Sequence, residues 1–576
     1  IDLYSRMYPS LEEVRDYLAS DPDKPFILVE YCHAMGNGPG DLEDYWEVIL
    51  ADEHACGGFV WEWCDHTVLA GRDETGREIH LYGGDHGETV HDANFCVDGL
   101  VASDRTPHAG LLELKNVQRP ARVVDYDQER GLVTLRNDLD FTDLDQYVRL
   151  SYEVRCDGAV VESGPLELPG PVPPHSIVTL RCAPAVPDAG RCHLLITSRL
   201  RRQVPLLEPG HELGFDEIPL ANADPRHRAV AKALGPVAEA LEAGADVAAR
   251  PNGAVGCADP AGAVGAGSAV GAGSAADAAD AVRDGCETTL TGGDLTVVVD
   301  TRSGLPRSLR VGDRELLDRP MELNIWRAPT DNDRHIRRQW ERAGYDRAGA
   351  QAYSTRIIRR RGAVAVHAEM SVSATALQPA LRVRAVWTVT ESGELAVNLR
   401  ARKSEGFPCL PRFGLRLFLP SSMHQVAYYG LGPGESYIDK HRSCHHDEFR
   451  TTVAELHEGC IRPQESGSRA DCDYVALTEG ADDALELTAV GLRPFSFNVS
   501  AYTQEELTET AHDAELSPCG STVLCLDGAM AGIGSASCGP ELRPDYRVDE
   551  DALGLDLVLL PLISSPIPNS AHNEVN

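Results

Sequence analysis

The spacing of apolar and polar positions changes character several times along the chain. Residues 11–19 (LEEVRDYLA) carry apolar side chains at helical spacing, with Ser10 placed as N-cap and Glu13 at the third helical position. Asp21-Pro22-Asp23-Lys24-Pro25 breaks that helix. Residues 26–29 follow as an apolar run too continuous for a half-exposed strand, which suits a buried parallel strand. Residues 41–50 (DLEDYWEVIL) predict a second helix and residues 57–61 a second buried strand. Helix, strand, helix, strand is the rhythm of an α/β barrel, so two barrel strands with their helices are expected over 1–117. The chain opens on Ile1 with a helix already due at residue 11, and it reads as starting inside that domain.

From about residue 118 the period shortens to that of strands. Residues 132–135 and 148–154 are examples, with turns at Asp157-Gly158 and over 169–174. A β-sandwich of the immunoglobulin type is expected over 118–224. Residues 225–287 begin with a short possible helix (Val230, Leu234, Val237, Leu241) and pass into Ala/Gly-rich sequence in which VGAGSA occurs twice in tandem. Such composition buries little and predicts a flexible linker. Strand patterns return over 288–565, as in 295–299 and 381–389, and predict one large antiparallel β domain. Residues 566–576 are polar and expected to fray.

Composition narrows the possible partners. Of 576 residues, 43% are hydrophobic and 25% charged, which is ordinary for a globular protein. Lys and Arg number 53 against 89 Asp and Glu, a formal net charge of -36 that repels phosphate and argues against nucleic acid. The densest basic run, Arg359-Arg360-Arg361, lies among strand-like residues and reads as a solvated strand end. No segment has the roughly 20 apolar residues needed to cross a bilayer, and no signal peptide is visible. The sixteen cysteines form no CxxC pair and no zinc-spaced cluster. Reduced thiols and a cytoplasmic location are therefore expected.

The chemistry concentrates in residues 26–37, FILVEYCHAMGN. Glu30 falls at the C-terminal end of the buried strand, the end at which α/β barrels carry their active sites, and His33 follows on the same loop. On the pattern alone, a buried Glu satisfied by a neighbouring Arg explains Glu30 as well as a catalytic carboxylate does.

The octapeptide Glu30-Tyr31-Cys32-His33-Ala34-Met35-Gly36-Asn37 closely resembles the nucleophile motif of family 2 β-galactosidases. Collinear matches continue in GGFVWEW (57–63), YGGD (82–85), NFCVDGLV (94–101), DRTPH (104–108), RAPTDND (327–333), YGLGPGESY (429–437), FNVS (497–500) and MAGIG (530–534). They cover nearly the whole chain apart from the linker. The resemblance implies the C-terminal end of a TIM barrel, an immunoglobulin-like sandwich and a large β-sandwich of the galactose mutarotase type. It implies a retaining glycoside hydrolase acting on terminal β-D-galactosides such as lactose, with Glu30 as nucleophile.

By the same resemblance His33 binds substrate hydroxyls and Trp61 forms the aromatic floor of the sugar pocket. Phe95, through its carbonyl, and Asp98 hold a sodium ion; many relatives have Asn where Asp98 stands. Asp92 matches a pocket-lining position, and a turn-stabilising Asp is an equal reading. Cys538 falls where some members place a Trp that stacks on the acceptor sugar, and a plain core Trp is the reading for Trp63. The general acid/base and most magnesium ligands belong to family domains that precede this sequence, so an inactive piece of a homo-oligomeric enzyme is expected. Another family 2 specificity (β-glucuronidase or β-mannosidase) and a non-catalytic carbohydrate-binding or scaffold subunit are the alternatives.

Overall fold

The computed structural model describes residues 2–237, 279–480 and 484–564. The first module is a three-stranded parallel sheet in the order β1 (Tyr4–Met7), β2 (Phe26–Tyr31), β3 (Ala55–Val60). Helices α1 (Leu11–Leu18) and α2 (Leu42–Ala51) form the crossovers, and α3 (Ala109–Val117) leaves the module. Ser10 and Glu13 make the reciprocal capping box that the spacing predicts for α1. Leu11, Val14 and Leu18 pack with Phe26, Leu28, Tyr45 and Ile49 into one core.

The expectation of two strands is corrected to three. β1 reads YSRM and three of its four residues are exposed, so no apolar run announces it. The expected full burial of the sheet is corrected as well. Its helix-covered face is buried, while Val29 and Phe59 are exposed, Phe59 by 64%.

A seven-stranded sandwich follows. Ala121–Asp127, Leu132–Asn137 and Ile177–Arg181 form one sheet; Val148–Cys156, Ala159–Leu166, Cys192–Leu200 and Glu212–Leu220 form the other. Asp157 and Gly158, both at positive φ, make the tight hairpin between the second sheet's first two strands. Val133, Val154, Leu194 and Ile196 fill the space between the sheets.

The large β domain contains a five-stranded sheet over 280–315 and a twelve-stranded antiparallel sheet over 319–564. Trp387, Phe413, Leu526 and Leu557 lie in its continuous core. Its longest strand, Ala484–Ser500, pairs with Ala552–Ser564 over 484–491 and with Ser521–Met530 over 496–500. The change of partner falls at Gly491, where a Cβ would meet the Arg493 carbonyl oxygen at 2.3 Å.

Within the stretch read as linker, Arg228–Leu234 is helical and Asp280–Asp284 is a strand paired with Glu287–Gly292. The β domain thus starts before residue 288, with Ala281 of DAVRD buried in its core and the adjacent Val282 exposed. The tandem VGAGSA repeat and the tail expected over 566–576 lie outside the described residues. The fifteen described cysteines are free. Among the described residues no helix is long and apolar enough to cross a membrane.

Candidate active site

β2 and β3 run parallel, so Glu30 and Trp61 come to the same end of the sheet. Tyr8, just past β1, joins them. Its backbone N–H donates to the Glu30 carbonyl at 2.8 Å, and its phenol lies close enough to the Glu30 carboxylate to feel it. Burial, and then the neighbouring Glu30 carboxylate, push the Tyr8 phenol well above its ordinary range, so the phenol stays protonated beside Glu30. Tyr8 sits at φ 50°, a strained setting for a bulky residue and of the kind that clusters at functional sites.

His33 is buried and held at both ring nitrogens. Nε2 lies 3.3 Å from Asp98 Oδ2 and Nδ1 lies 2.9 Å from Ser537 Oγ. With Nε2–H turned to the carboxylate, Nδ1 accepts from the Ser537 hydroxyl. The indole N–H of Trp61 donates to the same Asp98 oxygen at 3.2 Å, while the ring stays 41% exposed over the site. Ala34 N–H donates to the Trp61 carbonyl at 2.8 Å and ties the loop after Glu30 to the end of β3. Asp98 Oδ1 is buried without a hydrogen-bond partner. Burial, and next the Asp98 charge, raise the Glu62 carboxyl.

Phe95 packs its ring on His33 at 5.4 Å, and the Arg334 guanidinium lies over its face at 5.4 Å. Arg334 Nη1 donates to the Ser537 carbonyl at 2.8 Å, and Ser537 N–H donates to Asn332 Oδ1 at 3.0 Å. This loop carries Cys538, whose exposed thiol is close enough to Glu30 and Asp98 to feel their charge. Burial is the main cause of its raised pKa. Asp92 is exposed, and its carbonyl closes a turn on Phe95 N–H at 3.1 Å. Glu30, His33, Trp61, Phe95, Asp98 and Cys538 are therefore brought together; Asp92 stands at the rim as a turn residue. Trp63 is not a core residue: it is 58% exposed.

The distant motifs clamp the loop after Glu30. Gly36 has φ +60°, and a Cβ there would strike Gln464 Oε1 at 2.3 Å and Asp331 Oδ2 at 2.5 Å. Asn37 donates to the Glu465 carbonyl and the Tyr437 hydroxyl, and accepts from the buried Lys440 ammonium at 2.7 Å. Sequence reasoning missed Tyr8, Ser537, Asn332 and Arg334. Ser537 and Asn332 adjoin or lie in recognised motifs, but the His33–Ser537 contact spans 504 positions and is visible only in the fold.

Three family models match in chain order: the TIM barrel domain of glycosyl hydrolases family 2 over 1–123, β-galactosidase domain 4 over 133–221, and the β-galactosidase small chain over 291–559. The β-galactosidase of Actinobacillus pleuropneumoniae is 36% identical over 553 residues, which are 96% of this chain and 49% of that protein. The β-galactosidases of Staphylococcus xylosus and of Arthrobacter sp. (strain B7) are 34% and 30% identical, covering 95% and 93% of this chain and 51% and 50% of theirs. The chain spans about half the length of these curated relatives. Among solved structures, galactose 1-epimerase from Lactobacillus acidophilus NCFM aligns with 49% of this chain and 98% of its own at 9% identity and a TM-score of 0.29. The chain belongs to glycosyl hydrolase family 2. Within that family its second and third modules are of the β-galactosidase kind.

Proposed function

We propose that this chain supplies the nucleophile-bearing part of a retaining β-galactosidase acting on terminal β-D-galactosides such as lactose. The observation that carries the reading is Glu30 at the strand end, tied through its carbonyl to the Tyr8 backbone N–H and accompanied by His33 and the open face of Trp61, both held on Asp98. A Glu30 carboxylate oxygen attacks the anomeric carbon as its bond to the leaving oxygen breaks, and a second carboxyl group protonates that oxygen. Water then attacks the anomeric carbon of the glycosyl ester, gives its proton to the same second group and frees Glu30. In retaining enzymes the two carboxyl groups stand about 5–5.5 Å apart. By the family resemblance the second one, with most magnesium ligands, would come from family 2 domains other than the three matched in this chain.

Trp61 offers an apolar face for the sugar's C–H groups. His33, fixed by Asp98 and Ser537, is placed to contact hydroxyls. The buried, unpartnered Asp98 Oδ1 is an oxygen of the kind a hard cation prefers, and by the family resemblance it and the Phe95 carbonyl would hold a sodium ion near the sugar. Another family 2 specificity remains the second reading.

The test pairs this chain with a polypeptide carrying those other family 2 domains. A 2-fluoro-galactoside should label Glu30, and Glu30→Gln should abolish both labelling and nearly all turnover while leaving circular dichroism unchanged. Labelling at Glu62, or a preference for a glucuronide or mannoside, would overturn the assignment.

A further inference from the structure

Away from the Glu30 site, buried charge gathers where the seven-stranded sandwich meets the large β domain. His446 stands in the strand His445–Thr452 and is 7% exposed. Glu217, from the sandwich strand Glu212–Leu220, clasps it twice: Oε1 accepts the His446 backbone N–H and Oε2 lies against Nδ1, each at 2.7 Å. On the other side of the ring, Asp471 Oδ2 lies 2.7 Å from Nε2. Asp471 reaches that position from a break in the register of the strand Arg469–Thr478, with φ 53°. A non-glycine residue held there suggests that the surroundings over-determine its place.

Charged and titratable groups face His446 from both domains among the described residues. From the sandwich come Glu217, Arg191 and His193; from the large domain come Asp471, Asp473 and Tyr429. Arg191 binds Asp471 at 2.6 Å and Asp473 at 2.8 Å, and lies 3.1 Å from His446 Nε2, where it opposes a charged ring. Three carboxylates, Glu217, Asp471 and Asp473, thus gather around one guanidinium and the His446 ring, and the excess negative charge favours a proton on His446. With a carboxylate oxygen at each ring nitrogen, only the doubly protonated imidazolium donates to both carboxylates; a neutral ring keeps Glu217 on Nδ1–H, accepts from Arg191 at Nε2 and loses the bond to Asp471.

His193 is buried, and its Nδ1 has no hydrogen-bond partner. It stacks on His446 with centroids 4.5 Å apart and planes 1° from parallel. Burial holds His193 neutral, lowering its pKa to about 4. The ligand atoms of His193, Glu217 and His446 lie within 4.8 Å of one another, as in a metal site. Parallel rings argue against one: an imidazole lone pair lies in the ring plane, and a single ion cannot lie in both planes.

We propose that His446, as an imidazolium bridging Glu217 and Asp471, is a proton-operated bolt that fastens the sandwich to the large β domain and loosens it when deprotonated. Its carboxylate partners lift the His446 pKa from 6.5 to about 8, against the opposing pull of burial. The sign follows. A histidine whose folded pKa is raised contributes fully below the unfolded value near 6.5, and the contribution is lost as pH rises through about 8.

The test uses the whole chain. Histidine-labelled NMR should show His446 titrating near pH 8. Amide exchange, corrected for its intrinsic pH dependence, should show protection of Glu212–Leu220 and His445–Thr452 falling about tenfold between pH 7 and 9. In His446→Gln that protection should be low and flat with pH, and Glu217→Gln should move the His446 titration downward. A wild-type His446 titrating at or below 6.5, or an undiminished pH dependence in His446→Gln, would overturn the proposal. So would tight binding of one zinc ion that His446→Gln abolishes.

Discussion

At the scale of single residues, the candidate site depends on side chains that fix other side chains. Ser537 has no hydrogen bond to Glu30 or Trp61, yet its hydroxyl supplies the donor that keeps His33 Nδ1 satisfied at 1% exposure. Ser537→Ala would leave that nitrogen buried and unpaired, at a cost of about 1–3 kcal/mol. Part of that cost should appear as a lower Tm. Part should appear as a higher KM for a galactoside in the paired enzyme, because a ring freed from one tether samples orientations other than the one fixed by Asp98. A Thr at the same place keeps the hydroxyl and should restore the KM. A KM unchanged in the Ala variant would show that Asp98 alone orients the ring.

At the scale of elements, continuous apolar or strictly alternating runs were legible and polar short ones were not. Residues 26–29 and 381–389 are strands because their apolar side chains have a core to enter, and Asp157-Gly158 turns because both residues tolerate positive φ. Tyr4–Met7 is a strand only through its pairing with β2, which no local property of YSRM reports. The site was half legible for the same reason. Glu30 and His33 share one loop, whereas Tyr8 and Ser537 arrive from other elements.

Buried ion pairs between strands are equally invisible in sequence. Arg412, at the start of Arg412–Pro420, is fully buried against Asp527 in Ser521–Met530 and against Glu465 at 3.1 Å. Glu465 in turn accepts from Asn498, and its carbonyl holds Asn37 on the loop after Glu30. Arg412→Met should cost about 3–5 kcal/mol, because two carboxylates would remain buried without their cation. Burial already pushes both carboxyls upward, and Arg412 is the main group holding them down. A carboxyl whose folded pKa lies above its unfolded value favours the native state as pH falls. The deficit of Arg412→Met should therefore shrink from pH 7 to pH 5 in urea titrations, and a deficit independent of pH would point to lost packing instead.

At the scale of the whole molecule, the parallel module, the sandwich and the large β domain meet around one helix. α3 leaves the parallel module; its Asn116 donates to the Phe215 carbonyl in the sandwich and to the Arg442 carbonyl in the large domain. Arg119, just beyond it, pairs with Asp216 at 2.6 Å. Glu113, 2% exposed, turns its carboxylate to the large domain and accepts the backbone N–H groups of His441, Arg442 and Ser443 at 2.9–3.1 Å. The same segment carries Tyr437 and Lys440, which grip Asn37. Docking of the large domain and placement of the loop after Glu30 thus run through neighbouring contacts. Glu113→Ala removes the acceptor for three part-buried donors, each worth up to about 1–3 kcal/mol when left unpaired. Since the three groups lie on one turn, partial relaxation should hold the total near the lower end of their sum. Calorimetry should then resolve the parallel module's unfolding from that of the large β domain at lower temperature. Glu113→Gln, which keeps one accepting oxygen, should recover part of the cooperativity. A single transition of unchanged temperature in Glu113→Ala would mean that Asn116 and Arg119 suffice to hold the three modules together.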